Sequence, residues 1–221
     1  VRSVAPSHEQ NGFIEATIGK DSLFNLSAGF NFSLNDNLAA RTTVFSSERD
    51  GFVNVQNLGE DVNDRSRIGF KQQFLYEPSN DFSARVIMDY SKIDEACCAA
   101  LTLKDSFIAS GRTDSAGAAV PGTDAILSAL GGTVYRSGSF DDGQMSLNAL
   151  PSSESEDRGI SLELQRAFSG FDFVSISAYR AFDTKDFIDA DFSDVDLATR
   201  LYGAEQSMFS QEFRIASDTN Q

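Results

Sequence analysis

Tryptophan is absent from these 221 residues, cysteine occurs twice, histidine once and proline four times. No apolar run reaches the roughly 18 residues of a membrane helix, so a helical span is excluded. Basic residues are scarce, with 18 Lys and Arg against 33 Asp and Glu and a formal net charge of -15. They are too few and too dispersed to follow phosphates, and no nucleic-acid partner is expected. There is no nucleophile–base pair, no phosphate-cradling glycine loop and no HExxH-like element, so nothing points to an enzyme or to a cofactor. An initiating Met and a charged-then-apolar leader are also missing. Val1 therefore reads as a cut inside a longer protein.

What is present is alternation. From Ser22 to Ser33, Phe24, Leu26, Ala28, Phe30 and Phe32 point one way, while Asn25, Ser27, Gly29, Asn31 and Ser33 point the other. The run exceeds the ~5–6 residues of a soluble strand and approaches the roughly 9–11 of a tilted spanning strand. The same period predicts about eight strands, at 12–19, 22–33, 38–47, 67–76, 82–91, 158–168, 171–182 and 206–216. In the fourth, Ile68, Phe70, Phe74 and Tyr76 face outward against Lys71 and Gln73. In the fifth, Phe82, Ala84, Val86, Met88 and Tyr90 share one face.

The connections carry a second signal. Lys20-Asp21, Asn35-Asp36-Asn37, residues 77–81 and Ser169-Gly170 are short turns; 48–66, 92–157 and 183–205 are long loops. After the first tight hairpin, short and long connections alternate, as in outer-membrane barrels with short periplasmic turns and long extracellular loops. The expected fold is all-β, an antiparallel up-and-down transmembrane β-barrel of which about eight strands lie in this chain. The alternatives are a passive porin-like barrel and a soluble extracellular β-sandwich adhesin or lectin. A continuous face bearing Phe24, Phe30, Phe32, Phe70 and Phe74 speaks against the soluble form.

Several motifs, in order, sharpen this. Gly12-Phe13-Ile14-Glu15-Ala16 with Ile18-Gly19 resembles the first barrel strand of the TonB-dependent outer-membrane receptors. Glu48-Arg49-Asp50-Gly51-Phe52-Val53 resembles their RRDGF element after the third strand, and Asn63-Asp64-Arg65 precedes the fourth strand as in that family. Asp89 to Glu95, Ser177-Ala178-Tyr179-Arg180 and Ser210-Gln211-Glu212-Phe213-Arg214-Ile215 resemble later strands. The resemblance implies residues 1–10 as the junction between plug and barrel, and 11–221 as the N-terminal part of a barrel of about 22 strands. It implies energy-coupled import of a scarce nutrient, a ferric siderophore or similar bulky ligand, across the outer membrane of a Gram-negative bacterium. The implied partners are outer-membrane lipid, the ligand, and the TonB complex reached through a plug region absent from these residues.

Loop residues supply the candidate site. Asp50 and Phe52 fall in a turn at the rim or facing ligand. Cys97-Cys98 is the sharpest oddity: Cα atoms across a trans peptide lie about 3.8 Å apart, short of the usual 4.4–6.8 Å for a disulfide. A bond between them is possible but strained, an oxidising surface favours it, and a rigid turn is favoured over a ligand contact. Bare adjacency is no closed zinc motif. Asp183, Asp186, Asp189, Asp191, Asp194 and Asp196 form an acidic cluster expected in one outer loop. Solvated charge is the favoured reading, with a hard cation held by Asp189, Asp191 and Asp194 as the weaker alternative. Lumen-side Lys71, Arg85, Arg180 and Arg214 are candidates for plug contacts through carboxylates, on the resemblance. His8 reads as a linker residue, and Tyr76 and Tyr90 suit interfacial girdles.

Overall fold

The computed structural model describes residues 3–101, 103, 113, 115–118, 122–135 and 140–217. Its strands are β1 (Gly12–Ile18), β2 (Phe24–Asn35), β3 (Leu38–Arg49), β4 (Val53–Val55), β5 (Glu60–Val62), β6 (Arg65–Ser79), β7 (Phe82–Glu95), β8 (Gln144–Met145), β9 (Ser152–Phe168), β10 (Phe171–Asp189) and β11 (Thr199–Ser217), with one short helix, α1 (Thr123–Ala129). Eight of them form one sheet in the order β1-β2-β3-β6-β7-β9-β10-β11. Every neighbouring pair in that sheet is antiparallel. The expected eight-stranded meander is what the chain forms.

Turn chemistry sets the register at one end of the sheet. The Asn35 side chain accepts from the Asn37 amide at 2.9 Å, so the β2–β3 turn is closed by the residue that opens it. Gly170, at φ 93°, gives the β9–β10 hairpin the left-handed backbone its two-residue turn requires. Asp81, in the β6–β7 turn, pairs with Arg166 of the adjacent β9 at 2.8 Å.

The sheet is inside-out compared with a soluble protein. Phe30 (40 %), Phe32 (46 %), Phe70 (46 %) and Ile160 (49 %) are exposed on one face. On the other face Asn31 (5 %), Arg41 (8 %) and Gln73 (1 %) are buried. The register aligns the apolar positions across strands: Phe32↔Ala40↔Phe74↔Val86↔Leu162 and Ala28↔Val44↔Phe70↔Tyr90 lie in rows on the exposed face. Residues 24–32, 38–46, 68–76, 82–90, 160–168 and 171–179 make this apolar band, its depth matching the roughly 9–11 residues of a tilted spanning strand. Tyr76 and Tyr90 stand at opposite borders of the band, Tyr90 packed on Phe70 with ring centroids 6.1 Å apart.

Two expectations about the loops need correction. Residues 183–205 are mostly ladder: β10 and β11 stay paired out to Asp189↔Thr199, leaving 190–198 as the connection. Asp183, Asp186 and Asp189 therefore lie on a strand. Alternation fades there because residues 183–186 are polar on both faces, yet the backbone bonds continue. Similarly β9 starts at Ser152 and β7 runs to Glu95, so the ladder extends past the band. The 48–66 and 92–157 loops are also structured in part. β5, β4 and β8 join in a second small sheet, with β4 and β8 parallel. Residues 102, 104–112, 114, 119–121 and 136–139 of the 92–157 loop, with Val1 and Arg2 of the junction and residues 218–221, lie outside the described residues.

Candidate functional site

The small sheet belongs to a cap made by three separate connections at one end of the large sheet. Val53, Val55, Val62, Met145 and Leu147 form its buried core, with Ala96, Ala99, Leu101 and Phe192 packed against it. Burying each of the larger side chains stabilises such a core by about 1.5–3 kcal/mol. Asn57 ties two of the connections at a separation of 90 residues: its Nδ2 donates to the Leu147 carbonyl at 2.8 Å, and its Oδ1 accepts from the Leu147 amide at 3.1 Å.

Asn63 is the hinge-pin between the β5 hairpin and the cysteine segment. Its backbone amide donates to the Ala96 carbonyl (2.8 Å), its Nδ2 donates to the Ala99 carbonyl (2.9 Å), and its Oδ1 accepts from the Ala99 amide (2.9 Å). The neighbouring Asp64 carboxylate accepts from the Ala96 amide at 2.6 Å. Between the two clamped alanines, Cys97 and Cys98 are disulfide-bonded to each other across a cis peptide bond. Cys98 is exposed and Cys97 half-buried. Asn63 carries φ 64°, a left-handed backbone that Asn tolerates better than most residues.

Arg49 connects this clamp to Phe52. Its Nη2 donates to the Asn63 carbonyl at 2.8 Å, and its guanidinium carbon sits 4.9 Å from the centroid of the half-exposed Phe52 ring. The structure thus brings Phe52 and the Cys97–Cys98 pair into one assembly through Arg49 and Asn63, which lie in two of the quoted motifs without having been chosen as site residues. Asp50 stands apart from this cluster, its amide donating to the Asp21 carbonyl at 2.8 Å.

The acidic residues act as loop ties. Asp191 accepts from the amide and hydroxyl of Ser193 and from the amides of Leu197 and Ala198. Asp194 accepts from the amide and hydroxyl of Thr133, anchoring the segment after α1. Burial pushes the Asp194 carboxyl up, but the two Thr133 donors hold it below the ordinary carboxylate range. Asp189, at 1 % exposure, accepts from the Asn148 amide at 3.1 Å. Burial, and then the charge of Asp191, push its carboxyl up to about 6. The cation alternative over Asp189, Asp191 and Asp194 gains no support from this arrangement. The last two are spent on loop donors, and no cluster suited to a metal ion occurs among the described residues.

The wet face below the cap carries a cross-linked set of polar side chains beside apolar ones such as Phe13, Phe45 and Ile87. Arg180 reaches across β9 to Asp89 at 2.9 Å and also pairs with Asp157. Gly159 lies between them in the register, and a Cβ there would meet the Arg180 guanidinium at 3.0 Å; glycine keeps the bridge open. The N-terminal segment lies on this face: Lys71 donates to the Ser3 hydroxyl (3.2 Å), Gln73 to the Val4 carbonyl (3.1 Å) and Asn31 to the Asn11 carboxamide (2.7 Å). Arg85 bonds to Gln73 at 2.5 Å and to the Ser3 carbonyl at 3.4 Å, and Arg214 pairs with Glu212. So the four basic residues singled out from sequence all have partners within this chain. Ser3, Val4, Phe13, Arg41, Asp89 and Arg180 help line a cleft of about 580 Å³. His8 also has partners, Glu77 at 3.7 Å and the Ser33 hydroxyl at 3.4 Å.

An antiparallel sheet with an exposed apolar band, a wet opposite face, short turns at one end and a cap at the other has the architecture of β-barrel wall. Among solved structures, the ferric yersiniabactin uptake receptor FyuA from Yersinia pestis matches it with a TM-score of 0.72 at 11 % sequence identity. That match covers 99 % of this chain and 29 % of the FyuA chain, so the segment spans under a third of the receptor's length. No protein-family model and no curated protein matches the sequence. The likeness is one of fold.

Proposed function

We propose that this chain forms part of the wall of a TonB-dependent outer-membrane receptor that imports a scarce, bulky nutrient such as a ferric siderophore. The observation that carries the reading is the inside-out sheet. A band of exposed Phe, Ile and Leu of spanning depth is stable in lipid and a liability in water. The wet face forms the lumen wall, the cap is the first surface met by a ligand from outside, and the segment Ser3–Asn11 leads from the lumen into β1. Coupling to the TonB complex runs through a plug domain outside these residues. The resemblance in the sequence motifs and the fold shared with a siderophore-uptake receptor both support this.

The test is uptake by the full-length protein in its own cells. Deleting the gene should abolish accumulation of at least one radiolabelled ferric chelate, and collapsing the proton gradient across the inner membrane should do the same in wild type. Accumulation that survives loss of the gradient contradicts energised import and favours a passive barrel.

A further inference from the structure

Ser3–Asn11 crosses the wet face from β6 and β7 to β2, and side chains of those strands hold it at its start, middle and end. At the start, Lys71 donates to the Ser3 hydroxyl at 3.2 Å, Arg85 to the Ser3 carbonyl at 3.4 Å and Gln73 to the Val4 carbonyl at 3.1 Å. In the middle, the Asn31 carboxamide donates to the Ser7 hydroxyl at 3.3 Å. His8 there lies 3.4 Å from the Ser33 hydroxyl and 3.7 Å from the Glu77 carboxylate. At the end, Asn11 accepts twice from Asn31, from its carboxamide at 2.7 Å and from its amide at 2.8 Å. Pro6 within the segment is buried, as is Ala39 of the intervening β3. Gln73 is buried as well, and the segment completes it: Nε2 is spent on Val4, while Oε1 accepts from the same Arg85 that reaches Ser3. Lifting the segment strips these wall groups of partners together. Contacts joined through one short stretch of chain also release only when all let go at once. The two cationic donors sit at the Ser3 end, where a pull from a plug would arrive, and charge-assisted bonds are the stronger kind.

We infer that Ser3–Asn11 is a fixed strap, a part of the lumen wall that stays on β2, β6 and β7 throughout a transport cycle. The inference rests on the reading of the chain as wall of an energised receptor. Its mechanical consequence is specific. Freed and extended at roughly 3.3–3.6 Å per residue, the strap would lend a plug about 30 Å of reach, and its anchors withhold that length. Movement of a plug then draws on its own internal rearrangement and not on slack taken from the wall.

The experiment uses the full-length protein in its own cells, carrying Ser3→Cys with Lys71→Cys. A short bismaleimide locks the pair, and a monofunctional maleimide blocks the same two thiols without joining them. The first readout is the rate of cross-linking in respiring cells and in cells whose proton gradient has been collapsed. A fixed strap gives the same rate in both, and a rate that changes about tenfold with the gradient overturns it. Failure of the pair to cross-link overturns the strap whatever the protein imports. The second readout is accumulation of the radiolabelled ferric chelate. Locked and blocked protein should accumulate it within about twofold of each other. Loss confined to the locked protein overturns the inference, because the segment must then leave the wall during import. Ser7→Cys with Asn31→Cys locks the middle of the strap without touching Lys71, and should repeat both results if the first pair impairs folding. Absence of gradient-dependent accumulation in wild type contradicts the importer reading instead, and the strap is then decided by cross-linking alone.

Discussion

Replacing Asn63 by Gly separates the side-chain clamp from the backbone it rests on. Glycine keeps the left-handed φ of 64° without penalty and removes both carboxamide bonds to Ala99, at 2.9 Å each, while the Asn63 amide still reaches Ala96. Two neutral hydrogen bonds contribute about 0.5–1.5 kcal/mol each, so the cysteine segment should lose about 1–3 kcal/mol of local stability. That corresponds to amide exchange in 96–101 running roughly 5- to 150-fold faster. Asn63→Ala should cost about 1–2 kcal/mol more, since a Cβ disfavours the left-handed region. The assay is hydrogen exchange with mass spectrometry on the folded protein, with the Leu162-Glu163 region of β9 as an internal reference. Unchanged exchange in 96–101 for Asn63→Gly, or a loss spread evenly over the sheet, would refute the clamp.

Other perturbations reach different parts of the structure. Gly69→Ala puts a Cβ against the Phe45 ring and 2.9 Å from the Tyr90 carbonyl, and should destabilise the folded barrel by about 1–3 kcal/mol in a denaturant titration. In the apolar band, Thr42 Oγ1 donates to Gln72 Oε1 at 2.6 Å. Thr42→Val should cost about 1–2 kcal/mol by stranding the Gln72 carboxamide, whereas Thr42→Val with Gln72→Leu should be near neutral, read from the same titrations. The Asp189 carboxyl, raised from 3.8 to about 6 by burial and by the Asp191 charge, binds more protons folded than unfolded, so the fold around it loses stability as pH rises through that window, even though the Asn148 bond itself favours the charged form. Exchange protection of 146–149, corrected for intrinsic rates, should be greater at pH 5 than at pH 8 by about 1 kcal/mol, and Asp189→Asn should flatten the difference.

The spanning strands were legible because lipid and lumen impose opposite chemistry on alternate residues. Phe82, Ala84, Val86, Met88 and Tyr90 announce the exposed face of β7 without help from any neighbour. Beyond the band that constraint lapses. Asp183, Thr184, Lys185 and Asp186 are polar on both faces, so the ladder continues where the pattern no longer marks it. The cap escaped for another reason. Val53 and Val55, and Met145 and Leu147, do alternate, but over runs too short to rise above chance. Their pairing spans loops whose register no local rule sets. The candidate residues fared unevenly. Phe52 and the cysteine pair belong to one assembly, while Asp189, Asp191 and Asp194 accept from donors in the loops around them.

The most direct test of the membrane wall is a cysteine scan along β7 of the full-length protein in intact outer membranes. Val86→Cys and Met88→Cys should resist a water-soluble maleimide and react with a lipid-partitioning one. Arg85→Cys, Ile87→Cys and Asp89→Cys, on the opposite face, should do the reverse. Strict alternation between the two reagents is the expected result. Equal reaction of both faces with the water-soluble reagent would mean that the apolar band faces water, and the barrel reading would fail.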